Sequence, residues 1–278
     1  MSDLIAVTGA TGGLGGRIAR RLAQSGARQR LVVRDSSRAP RIEGAETVQA
    51  PYEDPAAFAA ALDGAGVLML ISATEHPDRV ALHTAAVDAA VAAGVPRIVY
   101  TSFLGAGPEC TFTFGRDHWH TERHIEETGV GFTFLLDSLY LDFLSGMVGD
   151  DGVIRGPAGD GRFAPVARDD VAAVAATVLQ DPSAHDRATY DLTGPDLLTM
   201  TEVASVLSSV RGSEVTFENE TLDEAYASRA RYEAPEWAVA GWVTSYAAIG
   251  AGELNVITDD VMKVTGHPPL SLAQVLRA

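Results

Sequence analysis

The strongest constraint in this sequence is a strand that breaks into glycines and then into a helix. Leu4-Ile5-Ala6-Val7 runs into Thr8-Gly9-Ala10-Thr11-Gly12-Gly13-Leu14-Gly15, after which Leu14, Ile18 and Leu22 recur at four-residue spacing. A short apolar run ended by glycines reads as a buried parallel strand, and the four-residue spacing reads as an amphipathic helix, closed by Gly26. Gly9, Gly12 and Gly15 stand in G-x-x-G-x-x-G order. Gly9 permits a tight turn out of the strand, Gly12 lets backbone approach a diphosphate, and Gly15 lets the helix lie close to the sheet. Thr11, Gly13 and Leu14 complete a loop whose free amides and helix dipole attract an anion.

The same alternation continues. Leu31-Val32-Val33, a weak Thr47-Val48, Val67-Leu68-Met69-Leu70-Ile71, Arg97-Ile98-Val99-Tyr100 and Phe132-Thr133-Phe134-Leu135-Leu136 read as further strands. Between them lie helices through Phe58 and Leu62, over 79–93 and over 118–128, the last two ended by Gly94 and Gly129. Strand–helix alternation of this kind predicts an α/β fold with a right-handed, doubly wound parallel sheet of Rossmann type. After Leu136 the pattern loosens into a helix over 169–179, a strand at Thr189-Tyr190-Asp191-Leu192, a helix over 199–210 and an irregular remainder rich in Trp and Tyr. The predicted organisation is a dinucleotide-binding core over 1–140 and about 163–195, with a smaller C-terminal substrate lobe over about 141–162 and 196–278.

In such a sheet ligands lie at the strands' C-terminal ends, so the loop residues there are the candidates. At the end of the second strand Arg34 is followed by Asp35, with Arg38 nearby. A guanidinium grips a 2′-phosphate and stacks on adenine, which favours NADP(H); the alternative is NAD(H), with Asp35 on the ribose hydroxyl. Ser72, Ala73 and Thr74 are expected beside the adenosine. Thr101, Ser102 and Phe103 are expected beside the nicotinamide, and Asp137, Ser138 and Tyr140 after the sixth strand, Tyr140 facing the acceptor.

The formal net charge of −16 argues against nucleic acid and anionic lipid as ligands. The single cysteine, Cys110, fits a reducing compartment, and no basic leader precedes Leu4, so the expectation is a cytoplasmic protein. The charge-poor stretch 237–252 is shorter than the roughly 20 apolar residues of a membrane span and reads as a buried helix or part of the substrate lobe. His120 and His124 stand at i, i+4 without an evident third ligand, so no metal site is expected. A homodimer is expected on general grounds alone.

The turn TGATGGLG, the strand end VVRD, VPRIVYTS and the HxxTE helix resemble the NmrA-like atypical short-chain dehydrogenase/reductases, within them the NAD(P)H:quinone oxidoreductase and triphenylmethane-reductase-like group. RFAPVARDDVAAVAATVL, YDLTGPDLLTMTEVASVLS and TGHPPLSLAQVL extend the resemblance over nearly the whole chain. The resemblance implies that His118 lies at the nicotinamide end, holding ribose or carboxamide or donating a proton; Thr121 and Glu122, three and four residues on, share its helical face, where Glu122 is expected to orient or charge the imidazole. It implies an acidic residue where Pro51 stands, so that the adenine contact passes to Tyr52, and often an arginine where Asp137 stands.

Ordinary short-chain dehydrogenases protonate substrate with a Tyr-x-x-x-Lys pair. Here the corresponding stretch is Phe114-Gly115-Arg116-Asp117-His118, and the only lysine is Lys263. A simple ketone becomes a strongly basic alkoxide and needs that donor. Quinones and conjugated dye cations can take hydride with little acid help, because their reduced forms are weakly basic or neutral. The expected function is therefore an NADPH-dependent reductase of quinone-like or other conjugated small molecules, with His118 and Tyr140 as candidate catalytic residues. The other reading is a non-catalytic NAD(P)-binding redox sensor of NmrA type. Trp237, Trp242 and Tyr246 are candidates for a flat aromatic pocket, or for core packing.

Overall fold

In the computed structural model, β1 (Ile5–Thr8) is buried along its whole length and passes through the glycine turn into α1 (Gly13–Gln24), which buries Leu14, Ile18 and Leu22. The structure describes residues 3–277; Met1, Ser2 and Ala278, at the outer ends of the two expected parts, lie outside the described residues. There follow β2 (Gln29–Val33), β3 (Glu46–Gln49), α2 (Pro55–Ala61), β4 (Val67–Leu70), α3 (Arg79–Ala92), β5 (Arg97–Phe103), α4 (Thr113–Thr128) and β6 (Gly131–Asp137). The chain continues through α5 (Leu141–Leu144), β7 (Val153–Gly156), α6 (Arg168–Gln180), β8 (Ala188–Leu192), α7 (Met200–Arg211), β9 (Thr216–Asn219), α8 (Leu222–Arg229), α9 (Glu236–Gly250), α10 (Asp260–Thr265) and α11 (Leu272–Val275).

The main sheet has the order β3-β2-β1-β4-β5-β6-β8. Its parallel registers pair Val7 with Leu31 and Met69, Val32 with Val48, and Met69 with Val99. The order reverses at β1, between β2 and β4, the switch point where such sheets take their ligands.

The chain divides into two compact units. The first comprises Met1–Ser102, Asp117–Leu136 and Arg168–Tyr190, the second Phe103–Arg116, Asp137–Ala167 and Asp191–Ala278. This division gives 103–116, 137–140, 163–167 and 191–195 to the second unit, where the expected core would have kept them. The reason is local packing: Leu104, Phe163 and Ala167 are buried among Met200, Leu207, Tyr246 and Ile249. The first unit's core is built on Leu68, Leu70, Ile98, Tyr100 and Phe134 from the sheet, with Phe58, Leu62, Val87 and Ile125 from the helices. At roughly 1.5–3 kcal/mol for each fully buried large apolar side chain, this burial dominates the unit's stability.

The second unit contains a parallel pair, β7 with β9, where the sequence shows only irregular chain. The apolar stretch 237–252 becomes α9, and no helix among the described residues is long and apolar enough to cross a membrane. Gly156 admits Tyr246: a Cβ there would stand 2.5 Å from Tyr246 Cγ. Tyr246 thus belongs to the core, stacked 5.7 Å from the guanidinium of Arg229. Trp237 meets Phe114 edge-on and Trp242 meets Tyr232, so these rings pack pairwise and do not form one flat wall. Lys263 is exposed on α10 beside Asp259 and Asp260.

Candidate dinucleotide and acceptor sites

The glycine loop has the geometry of an anion cradle. Gly9 takes φ +63°, a left-handed conformation that only glycine adopts cheaply. At Gly15 a Cβ would stand 2.5 Å from the carbonyl carbon of Gly9 and 2.9 Å from the nitrogen of Ala10, so the first turn of α1 rests directly on the loop. Gly12 is the N-cap, and its own amide donates to Gly9 O at 2.9 Å. The amides left for an anion are therefore those of Gly13, Leu14 and Gly15, which have no intrahelical acceptor. Gly12 at the α1 N-cap has no side chain to occupy these amides. Two further arginines stand close by. A Cβ on Gly13 would be 3.6 Å from Arg168 and from Arg17, and Arg17 donates to Gly13 O and to Asp169. Arg168 opens α6 in RFAPVARDD, a position with no local sequence signal.

At the end of β2 an acidic residue and two arginines have different surroundings. Asp35 accepts from the backbone N–H and the hydroxyl of Ser37, and these bonds hold its carboxyl below the usual range. The carboxylate thus caps its own turn, while Arg34 and Arg38 are exposed. Tyr52 behaves differently from an adenine donor. Its hydroxyl sits 2.8 Å from both Thr8 Oγ1 and Ile71 O, and burial pushes it well above the ordinary phenol value. Only its ring remains available.

At the β4 and β5 ends, Ser72 N donates to Thr101 Oγ1 at 2.9 Å, and Thr101 and Ser102 are buried; Thr74 is exposed. Behind them lies a buried polar seam. Ala73 N donates to His83 Nε2 at 2.8 Å, and Arg79 Nε donates to Ala73 O at 2.9 Å, so both backbone atoms of Ala73 are gripped by α3. Arg79 also donates to His118 Nε2 at 3.0 Å and lies 3.7 Å from Asp117. A backbone amide and a guanidinium can only donate, so both Nε2 atoms accept and each neutral ring carries its proton on Nδ1. His83 Nδ1 then donates to Thr121 Oγ1 at 2.9 Å, and Tyr100 O–H stands 2.9 Å from His118 Nδ1. Burial, reinforced by the charge of Arg79, lowers His83 to about 3 and holds His118 well below its ordinary value.

This seam revises two expectations. α4 begins at Thr113, so His118 sits inside the helix and not at its start. Glu122 accepts from Ser102 Oγ and positions that hydroxyl, while the imidazole faces Tyr100 and Arg79. His118 is thus a neutral acceptor at Nε2, poorly suited to give a proton.

In the second unit, Tyr140 O–H donates to Asp137 Oδ2 at 2.6 Å. Burial raises the Asp137 carboxyl to about 8, against the opposing effect of the Tyr140 bond. Asp137 Oδ1 and Ser138 Oγ are buried without a partner. Among the described residues no cluster of His, Cys, Asp or Glu is arranged to hold a metal ion.

The NmrA-like family model matches residues 1–233. The chain belongs to the NmrA-like family. Among relatives, quinone oxidoreductase 2 of Escherichia coli (strain K12) is 32% identical over 278 residues, covering 98% of this chain and 96% of that protein. The crystal structure of an E. coli NADPH-dependent quinone oxidoreductase complexed with NADPH superposes with TM-score 0.90 at 31% identity, covering 98% of both chains. That of the Citrobacter sp. triphenylmethane reductase complexed with NADP(H) gives TM-score 0.86 at 31% identity, covering 98% of this chain and 99% of the other. The likeness runs through both units, since each of these three relatives matches 98% of this chain.

Proposed function

We propose that this chain is an NADPH-dependent reductase that passes hydride to quinone-like or other conjugated small molecules. The observation that carries the reading is the divided chemistry at the end of β2. Asp35 is bonded to its own turn while Arg34 and Arg38 stand exposed, which suits a 2′-phosphate. The cradle fits the rest of the cofactor: the amides of Gly13, Leu14 and Gly15, framed by Gly9, Thr11 and Gly12, would hold the diphosphate, with the ring of Tyr52 and residues 72–74 on the adenosine side. Thr101, Ser102 and the seam behind Ala73 would border the nicotinamide. When bound, NADPH supplies a hydride from C4 of its nicotinamide.

The first unit is the dinucleotide-binding part in this reading, the second is the substrate lobe, and Tyr140 of the second is a candidate catalytic residue. His118 serves as a positioning residue that holds Arg79, and through it the Ala73 peptide. Relatives named for quinone, dye and azo reduction support the choice of acceptor. The absence of the Tyr-x-x-x-Lys pair supports it independently. The single cysteine favours a cytoplasmic setting, and a homodimer is the expected assembly.

The test is NADPH oxidation over quinones, cationic dyes and enones, repeated with NADH and with Arg34→Ala. The wild type should turn over at least one acceptor class and prefer NADPH, and Arg34→Ala should lose most of that preference. Saturable NADPH binding with no acceptor-dependent oxidation would refute catalysis and leave the sensor reading. An unchanged preference in the variant would refute the role of Arg34.

A further inference from the structure

A formal net charge of −16 opposes any ligand rich in phosphate, so an anion that binds this chain must be met by cations beside it. Arg34 and Arg38 suit the 2′-phosphate, which only NADPH carries. The diphosphate is common to NADPH and NADH, and the amides that would hold it supply only the partial charge of a helix end.

Two helices begin at that point. α1 opens at Gly13 and α6 at Arg168, both within the first unit. A Cβ on Gly13 would stand 3.6 Å from Cδ and from Nη1 of Arg168, and 3.6 Å from Nη1 of Arg17. A Cβ lies about 2.5 Å from its own backbone nitrogen, so both guanidinium groups come within about 6 Å of the Gly13 amide. One phosphate group spans such a gap, with one oxygen on the amide and another on a guanidinium.

The two arginines have different duties. Arg17 Nη1 donates to Gly13 O at 2.8 Å, and its Nε donates to Asp169 Oδ1 at 3.0 Å. Arg17 therefore ties the first turn of α6 to the first turn of α1 and offsets the charge of Asp169. Asp170, the other acid of that turn, is buried. Arg168 precedes the tethered Asp169 and is half-buried, with its guanidinium beside the exposed Gly13.

We infer that Arg168 contacts the diphosphate of the bound cofactor, and that Arg17 is the positioning residue that sets α6 for this contact. The inference rests on the dinucleotide part of the reading above and is independent of the acceptor and of turnover. Arg34 then reads the phosphate that distinguishes the two nucleotides, and Arg168 the charge they share.

The experiment is calorimetry. Kd for NADPH is measured for the wild type, Arg168→Met and Arg168→Lys at about 50 mM and about 1 M sodium chloride. At low salt Arg168→Met should bind about tenfold more weakly, the loss of one charge-assisted hydrogen bond, and Arg168→Lys should recover much of that loss. At high salt the gap between Arg168→Met and wild type should narrow to about twofold or less, because an ionic contact is screened and a packing contact is not. NADH should lose the same factor at low salt. Arg17→Met should weaken NADPH binding in the wild type and add little to Arg168→Met, since both changes remove one contact. An unchanged Kd in Arg168→Met, a gap that salt does not alter, or a loss confined to NADPH overturns the contact with the diphosphate. Losses that add in the double variant overturn the positioning role of Arg17. A wild type without saturable NADPH binding overturns the dinucleotide reading itself, a failure seen before any variant is made.

Discussion

Replacing His83 by Gln should change how stability depends on pH, and the size of the change follows from the seam. In the folded protein His83 is buried, accepts from Ala73 N and faces the positive charge of Arg79, which together lower it to about 3. In the unfolded chain it titrates near 6.5. Its folded value is depressed, so the unfolded state binds the extra proton as pH falls. The stability that depends on a neutral ring is complete above about 6.5 and is lost progressively between there and about 3. Between pH 7 and pH 5 the unfolded imidazole goes from about one-quarter to nearly fully protonated, which at 1.36 kcal/mol per pH unit of full proton difference removes about 2 kcal/mol. Gln offers an amide oxygen to Ala73 N but no titration in this range. Urea unfolding of both proteins at pH 7, 6 and 5 should therefore show the stability advantage of wild type over His83→Gln shrinking by about 2 kcal/mol across that range. Asp137 acts in the opposite sense, since its raised value makes the folded state the proton binder below about 8, but it is common to both proteins and cancels in the difference. A difference that does not vary with pH would refute the neutral, amide-capped ring.

Other outcomes follow from single contacts. Gly15→Ala places a methyl 2.5 Å from the carbonyl carbon of Gly9, so the loop must shift; calorimetry should show NADPH affinity reduced at least tenfold, about 1.4 kcal/mol, and unchanged affinity would refute the cradle geometry. Arg229→Met leaves the buried Glu220 carboxylate unpaired and removes the bond to Arg155 O; it should cost about 3–5 kcal/mol in thermal or urea unfolding, with little loss if the pair is not formed.

The opening β-strand, glycine turn and helix were legible because their signals are local: an apolar run, three spaced glycines and a four-residue apolar period. The sheet order followed from repeated strand–helix alternation, which leaves few topologies. What escaped reading depended on distant pairing. Val153-Ile154-Arg155-Gly156 and Thr216-Phe217-Glu218-Asn219 carry little strand pattern of their own, and they form β7 and β9 because each supplies the other's ladder. Arg79 and His83 read as ordinary positions of a surface helix. Their burial depends on Tyr100, His118 and Thr121 arriving from β5 and α4, and nothing near residue 79 announces that. Asp137 and Tyr140 were expected together after the sixth strand, but the burial that raises the Asp137 carboxyl was not legible there. Arg168 escaped for the same reason: its proximity to Gly13 exists only once α6 lies beside α1.

The hydrogen-bonding of the paired imidazoles has a consequence for ion chemistry. Two histidine rings whose centroids lie 6.5 Å apart, on a chain whose α4 also carries His120 and His124, offer the raw material of a transition-metal site. Coordination requires an undonated lone pair, and the Nε2 pairs of His83 and His118 are already committed to an amide and a guanidinium. Zinc or copper would have to displace a buried arginine to gain a foothold, so the interior behind Ala73 is chemically closed to such ions despite its composition.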